Sequence, residues 1–277
     1  MYSVHFQAMS LVPAFFHHLS EMLYKVLECV GINPWVVERR RHTFLHREAA
    51  WDVHAHQAGQ DKTTHQNRLD RTSFHFGSQS EGTTTPGLQS DTDMLYTHNS
   101  INIMYSWADW QQGRVNFLMV RYEDTPPQHY LLLWIRSDIP HPVTHTDNPD
   151  FVTDPQRGVF YSNMTIVRRV AEVCGIHNEP HLRHGPSNSI SEDYDFVAAF
   201  HCKTLPPEVM SWFTKMQQGY WPSQVTLQAA RMCPIFLVPD GCHGSPNEQI
   251  EWRITPNLFE RLLMFSLNMV PIKCLVV

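Results

Sequence analysis

The chain has 277 residues, of which 42% are hydrophobic and 17% charged, a balance typical of a globular protein with a substantial core. Its formal net charge of -6 argues against nucleic-acid binding through bulk charge, but leaves room for a local basic face. The six cysteines form no Cys-x-x-Cys pair and no apolar run reaches the length of a membrane span. We therefore expect a cytoplasmic protein with reduced thiols and no membrane partner.

Two helices are predicted near the N-terminus. Residues Leu19 to Val30 carry apolar side chains at three- and four-residue steps, and a second helix is predicted from Pro34 through Glu48 and as far as Val53. The second helix contains the only dense basic run, Arg39-Arg40-Arg41. This run is either a solvated helix face or a contact for double-stranded nucleic acid.

A glycine-serine turn follows the first predicted strand. The polar stretch from Gly59 to Arg71 predicts a loop, and Ser73 to Phe76 a short strand that ends at Gly77-Ser78. Gly77 lets the backbone approach a phosphate because it has no Cβ. Ser78 and the amides after it can donate hydrogen bonds to phosphate oxygens.

An Asp-x-Asp pair, Asp91 and Asp93, comes shortly after this turn. On a strand, residues two apart project from the same face, so the two carboxylates would lie side by side. Such carboxylates repel each other unless a cation lies between them, and Mg²⁺ binds oxygen ligands of this kind together with substrate phosphates. The alternative is a polar loop with two solvated aspartates.

The middle of the chain predicts strands separated by irregular segments. Strands are predicted at Asp93–Thr97, Ile101–Trp107 and Asn116–Tyr122, whereas Tyr130–Ile135 fits a strand or a helix equally. The remaining segments are predicted as an exposed excursion over Pro140–Arg157, a helix over Met164–Cys174 and a loop over His184–Ser191.

The apolar run Tyr194 to Phe200 predicts a buried strand that carries one acid, Asp195. A buried carboxylate without a partner is costly, so Asp195 is a natural third ligand for a two-metal site. The alternative is an edge aspartate that faces solvent.

The C-terminal third alternates helices with short strands. Helices are predicted over Pro206–Lys215, Ser223–Met232 and Asn257–Asn268, and a strand over Phe236–Val238. Because helices and strands interleave while the acids lie on strands close in sequence, the fold class expected is α+β, a mixed sheet with packed helices.

The eighteen histidines give no convincing zinc motif. Spacings such as Asp52-x-His54-x-His56, His141-x-x-x-His145 and His177-x-x-x-His181-x-x-His184 could serve zinc, but none has a nearby cysteine pair. Ordinary surface histidines are favoured, and no zinc is expected.

Several of these segments together resemble the male abnormal 21 (Mab-21) domain family, the nucleotidyltransferase-fold relatives of cyclic GMP-AMP synthase. The similarity extends from about Leu19 to the end and is nearest to the invertebrate synthase-like receptors. The segments that carry it are Gly77 to Asp93, Trp107-Ala108-Asp109-Trp110, Pro126-Pro127-Gln128-His129-Tyr130, Asp195-Phe196-Val197, Trp221-Pro222-Ser223 and Glu251-Trp252-Arg253-Ile254.

The resemblance implies specific roles at the phosphates and metals. Gly77 and Ser78 would hold the triphosphate of ATP or GTP, and Asp91, Asp93 and Asp195 would bind two Mg²⁺ or Mn²⁺ ions. The same three acids would be the catalytic residues.

The resemblance also implies a nucleobase site. In the family a Trp-Arg-[Leu/Ile]-Ser-Phe-Ser motif lines the base pocket, which assigns nucleotide binding to Arg253, Thr255 and the following Glu260. Pro256 and Asn257 depart from that motif, so the choice of base stays open.

The expected organisation is N-terminal helices with a polar loop over 1–70, a nucleotidyltransferase core over 71–250, and the start of a helical lobe over 251–277. The expected activity is nucleotidyl transfer, as in a cyclic-dinucleotide synthase acting as an innate immune receptor; the alternative is an inactive binding or developmental scaffold. Self-association is expected through apolar side chains of the C-terminal segment: Leu258, Leu262, Leu263, Phe265, Ile272, Leu275 and Val276.

Overall fold

A computed structural model describes residues 14–58, 71–84, 90–166, 168–169, 183–191, 194–216 and 221–276. The helices are α1 (Ala14–Cys29), α2 (Pro34–Ala58), α3 (Gly77–Glu81), α4 (Pro207–Met216), α5 (Gln224–Arg231), α6 (Asn257–Ser266) and α7 (Met269–Val276). None of the described helices combines the length and the apolar character needed to cross a membrane.

The strands form one mixed sheet, so the α+β class expected from the sequence is confirmed. They are β1 (Arg71–Phe76), β2 (Thr92–His98), β3 (Ile101–Met104), β4 (Val115–Val120), β5 (His129–Ile135), β6 (Phe151–Asp154), β7 (Gly158–Tyr161), β8 (Arg183–His184), β9 (Ser187–Ser191), β10 (Tyr194–Cys202), β11 (Ile235–Val238) and β12 (Glu251–Thr255).

The main strand order is β1-β2-β10-β11-β12-β5-β4-β3. Strands β2 and β10 run parallel, and β3 also pairs with β10, so the sheet curls back on itself. Strand β12 lies between β11 and β5 in this order, although the predicted organisation assigned its residues to a C-terminal lobe.

The largest core lies under the curled part of the sheet and is rich in aromatic rings. Trp252 is fully buried, stacks on Tyr161 with ring centroids 5.6 Å apart, and lies 4.9 Å from the ring of Phe200. Its indole Nε1 donates a hydrogen bond of 3.1 Å to the Tyr161 carbonyl oxygen. This satisfied ring fixes β12 against β7 and β10, the second of which carries Asp195.

Two segments differ from their predictions. The loop predicted over 184–191 is wrong, because β8 and β9 form a hairpin and β9 pairs with β10 through Ser189 and Asn188. The polar sequence of β9 does not suggest a strand. It forms one because the edge of β10 is open there and offers ladder hydrogen bonds. The predicted excursion over 140–157 contains β6, which pairs with β7, and Phe151 on this strand stacks on Trp134 with centroids 4.3 Å apart.

Other predictions are confirmed with shifted ends. Both N-terminal helices are present and longer than predicted, and Tyr130–Ile135 lies in a strand. The predicted strand from Ile101 ends at Met104, before a 3-10 turn over Trp107–Asp109. Residues 59–70 and 170–182, which include most of one predicted loop and the end of one predicted helix, lie outside the described residues.

The arginine run on α2 divides between two faces of the helix. Arg39 is exposed, whereas Arg41 donates hydrogen bonds to the carbonyl oxygens of Glu81 (2.9 Å), Met264 (3.0 Å) and Phe265 (3.1 Å). Two of these carbonyls lie in the last turn of α6, which leaves its final carbonyls without helical partners. Arg41 is therefore a structural link between α2, α3 and α6.

We expect Arg41→Ala to lower the free energy of unfolding by about 2–3 kcal/mol, because it removes charge-assisted hydrogen bonds to three carbonyls. Arg39→Ala on the same helix is the control and should change it by less than about 0.5 kcal/mol. Urea denaturation measures both variants. Equal effects would contradict the structural role assigned to Arg41.

Candidate active site

Three aspartates meet where β2 and β10 run side by side. Asp93 on β2 lies in register with Asp195 on β10, and Asp91 immediately precedes β2. One carboxylate oxygen from each of the three lies within 4.8 Å of the others. The parallel register therefore brings together two segments that are a hundred residues apart in sequence.

Mutual repulsion and burial act on the central acid. Burial of Asp93, followed by the negative charges of Asp91 and Asp195, raises the pKa of its carboxyl group to about 6. A divalent cation would offset this accumulation of charge, and three carboxylates are the oxygen donors that Mg²⁺ and Mn²⁺ prefer. The donor set fits such ions.

Gly77 forms a close backbone approach to Asp93. Its φ of +78° lies in the left-handed region, and a Cβ built on it would lie 1.9 Å from Oδ2 of Asp93. Only glycine fits here, for backbone conformation and for space. The turn thus places peptide groups directly beside the acids.

Ser78 lies in the first turn of α3, and its hydroxyl is engaged by residues that follow this helix. Its hydroxyl oxygen lies 2.9 Å from that of Ser90, and the Thr84 hydroxyl donates to it at 2.6 Å. Gln79 donates from Nε2 to the Ser90 carbonyl at 2.7 Å. Ser78 is not among the residues that line the cavity beside the acids.

Helix α2 supports this loop from behind. Arg40 donates to the Thr84 carbonyl, Arg41 to that of Glu81, and Gly82 packs closely against Val37. The position of the glycine-serine turn therefore depends on side chains of α2.

A cavity of about 280 Å³ opens next to Asp93. Its wall combines β1, β2 and α3 on one side with the end of β12 and the start of α6 on the other. Five residues predicted from the sequence line it: Gly77, Asp93, Arg253, Thr255 and Glu260. Apolar side chains complete the wall, among them Phe76, Leu95, Val197 and Val238.

Arg253 takes part in an ion pair and also borders the cavity. Its Nε donates to Oδ2 of Asp240 at 2.8 Å, and the side chain also lines the cavity. The Thr255 hydroxyl donates to Oδ1 of Asn257 at 2.7 Å, so this hydroxyl is engaged by a neighbouring residue of the chain.

Sequence reasoning missed Glu81, which also lines the cavity. Burial is the main cause that raises the pKa of its carboxyl group to about 7, and Asp93 and Glu260 add to it. Glu260 is exposed as a residue, yet protein atoms crowd its carboxyl group and desolvation raises its pKa as well. The spacing Gly-Ser-x-x-Glu could have identified Glu81, because positions i and i+4 share a helix face.

Among the described residues, the aspartate triad is the one cluster of three or more acids, histidines and cysteines with the spacing of a metal site. His141 and His145 are exposed. The side chains of Asp52, His54 and His56, together with His177 and His181, lie outside the described part.

No family model and no curated protein matches the chain.

Proposed function

We propose that the protein has the nucleotidyltransferase fold of the Mab-21 family and transfers a nucleotidyl group from ATP or GTP. The observation that carries this proposal is the convergence of Asp91, Asp93 and Asp195 within 4.8 Å. A glycine turn and a partly polar cavity beside them support it. A single domain, in which the core of residues 71–250 packs with the helices before and after it, is compatible with this fold.

Asp91 and Asp93 would hold the divalent ions, and Asp195 would share in their binding. Mg²⁺ or Mn²⁺ would supply neutralisation of charge on the triphosphate and on the departing pyrophosphate. The Gly77 turn admits phosphate oxygens close to the backbone, and the cavity beyond it receives the base next to Arg253.

In the proposed reaction the oxygen of an acceptor hydroxyl forms a bond to the α-phosphorus of the nucleoside triphosphate. The bond from that phosphorus to the β-phosphate bridging oxygen breaks, and pyrophosphate leaves with its electron pair. Asp195 accepts the hydroxyl proton, which is the work of a positioned carboxylate.

The test uses purified protein with labelled ATP and GTP, Mg²⁺ or Mn²⁺, and double-stranded RNA or DNA. We expect pyrophosphate and a nucleotidyl product, and Asp195→Asn should reduce turnover at least about 100-fold. Absence of turnover under every one of these conditions, with nucleotide binding intact, would contradict the enzymatic proposal.

Nucleotide binding without turnover is the outcome expected of the alternative, an inactive scaffold. The position of the Ser78 hydroxyl favours it, because that hydroxyl is bonded within its own loop rather than exposed to the cavity. Binding without turnover would assign the protein to this class.

A double-stranded nucleic acid would contact a different set of arginines from the run Arg39-Arg40-Arg41 expected from the sequence. Trp35, Arg39, Arg40 and Arg47 line one groove on α2, and the Arg39 guanidinium stacks over the Trp35 ring at 5.1 Å. Arg41 lies elsewhere, bonded to three carbonyls. Aromatic and cationic side chains in one groove suit a phosphate backbone.

We expect Arg39→Glu with Arg47→Glu to weaken duplex binding about tenfold or more at low salt, since each phosphate contact releases counterions. Lys215→Glu, exposed on α4, is the control. Fluorescence anisotropy over a salt series measures the effect, and equal binding by all three proteins would exclude this groove.

A further inference from the structure

Helix α1 presents an apolar stripe to solvent. Leu19, Met22, Leu23 and Val26 on α1, with Val30 directly after the helix, recur at three- and four-residue spacing and are between 40% and 53% exposed. Such spacing places them on one face about 100° wide. These five residues are called the α1 stripe below.

The opposite side of the helix attaches α1 to the rest of the chain. Leu27 packs against the small core of Ile32, Val37 and Ile272. The Lys273 ammonium lies 3.0 Å from the Tyr24 ring centroid and donates to the Tyr24 carbonyl at 3.2 Å. These contacts turn the α1 stripe away from the molecule.

The rest of α1 has little tertiary support. Every side chain from His17 to Val26 is exposed. An isolated helix of this length is marginal in water, and helices in proteins are stabilised chiefly by packing of their apolar face. The stripe therefore needs a cover for α1 to persist.

We propose that a second copy of the chain covers the α1 stripe, in a two-fold dimer that packs α1 against α1. At roughly 150–200 Å² for a large side chain, the exposed fractions amount to about 400 Å² per copy. With the adjoining surface of the helix, the total area buried by the two copies comes to about 1,000 Å², the lower bound for a specific interface. A two-fold axis brings one stripe onto its identical copy, so a single apolar surface suffices for both partners.

The C-terminal segment is a poorer candidate for the same interface. Ile272 is buried in the small core, Leu262 and Leu263 pack against the main core, and the Arg41 guanidinium lies over the Phe265 ring. The described apolar side chains expected to associate there are thus largely covered within the chain, and those of Leu275 and Val276 lie outside the described part.

Sedimentation velocity over a concentration series tests the proposal. We expect a monomer–dimer equilibrium for the natural chain, and at least about 100-fold weaker association for Leu23→Glu, which puts a charge in the centre of both stripes. Leu23→Met, which conserves volume, should retain the dimer. Val225→Glu, on an exposed apolar residue of α5, is the matched control and should dimerise as the natural chain does.

A monomer at every concentration up to about 100 µM would overturn the proposal. So would a dimer that Leu23→Glu leaves intact, or one that Val225→Glu disrupts equally. Circular dichroism separates misfolding from dissociation, since Leu23→Glu should lose helix signal from α1 alone while the cooperative unfolding transition persists.

Discussion

Mn²⁺ together with ATP is expected to raise the melting temperature of the protein by about 5–10 °C at ligand concentrations a hundred times the dissociation constant. A ligand that binds only the native state stabilises it by mass action. The double variant Asp91→Asn with Asp93→Asn should lose most of this rise, because two of the three clustered carboxylates are gone. Differential scanning fluorimetry measures it.

Asp147→Asn is the matched control, since Asp147 is fully exposed and pairs only loosely with His145 at 3.3 Å. It should keep the full rise with Mn²⁺ and ATP. A rise that survives in the double variant would remove the metal assignment.

In the absence of metal, Asp93→Asn should stabilise the native state instead of weakening it. The pKa of Asp93 is raised to about 6 from its usual value of 3.8, so its ionisation destabilises the native state. This cost is absent below about pH 4, grows as pH rises, and is complete above about pH 6. At pH 8 the variant should be about 1–2 kcal/mol more stable than the natural protein, a figure reduced for solvent screening.

Gly77→Ala is expected to have the largest effect of any single methyl addition at the site. The new Cβ would lie 1.9 Å from Asp93 Oδ2, and the φ of +78° is unfavourable for alanine by about 1–2 kcal/mol. Backbone strain and the clash together should lower the free energy of unfolding by about 3 kcal/mol. The stabilisation by Mn²⁺ and ATP should also be lost.

Gly113 provides the control for this substitution. It has the same φ of +78°, but a Cβ there would meet nothing within 4 Å. Gly113→Ala should therefore show the backbone cost of about 1 kcal/mol without the crowding. Urea denaturation of both variants measures the difference, and equal costs would mean that Asp93 moves aside freely.

The local motifs of the site could be predicted because each depends on few residues. The Gly77 turn needs only one residue that tolerates a positive φ, which glycine does. The apolar run around Asp195 predicts a strand by its composition. The pairing of β2 with β10 joins segments about a hundred residues apart, so no local pattern indicates it. Their register, which brings Asp93 opposite Asp195, follows from packing and had to be observed.

The remaining features depend on partners distant in sequence. The β9 strand is polar and forms because β10 has an open edge, which no local pattern records. Arg41 reads locally as one of three equivalent arginines, and only the end of α6 distinguishes it. Glu81 acquires its raised pKa from burial in the folded chain and from the charges of Asp93 and the distant Glu260.

The cavity wall joins residues 76–95 to residues 238–260, and this span has a consequence for synthesis on the ribosome. The glycine turn and the first two aspartates emerge early, but the surfaces that enclose them are translated more than a hundred residues later. At about 5–20 residues per second, roughly ten seconds or more separate the synthesis of these acids from that of β12 and α6. The cavity therefore cannot close until β12 and the start of α6 have left the ribosome.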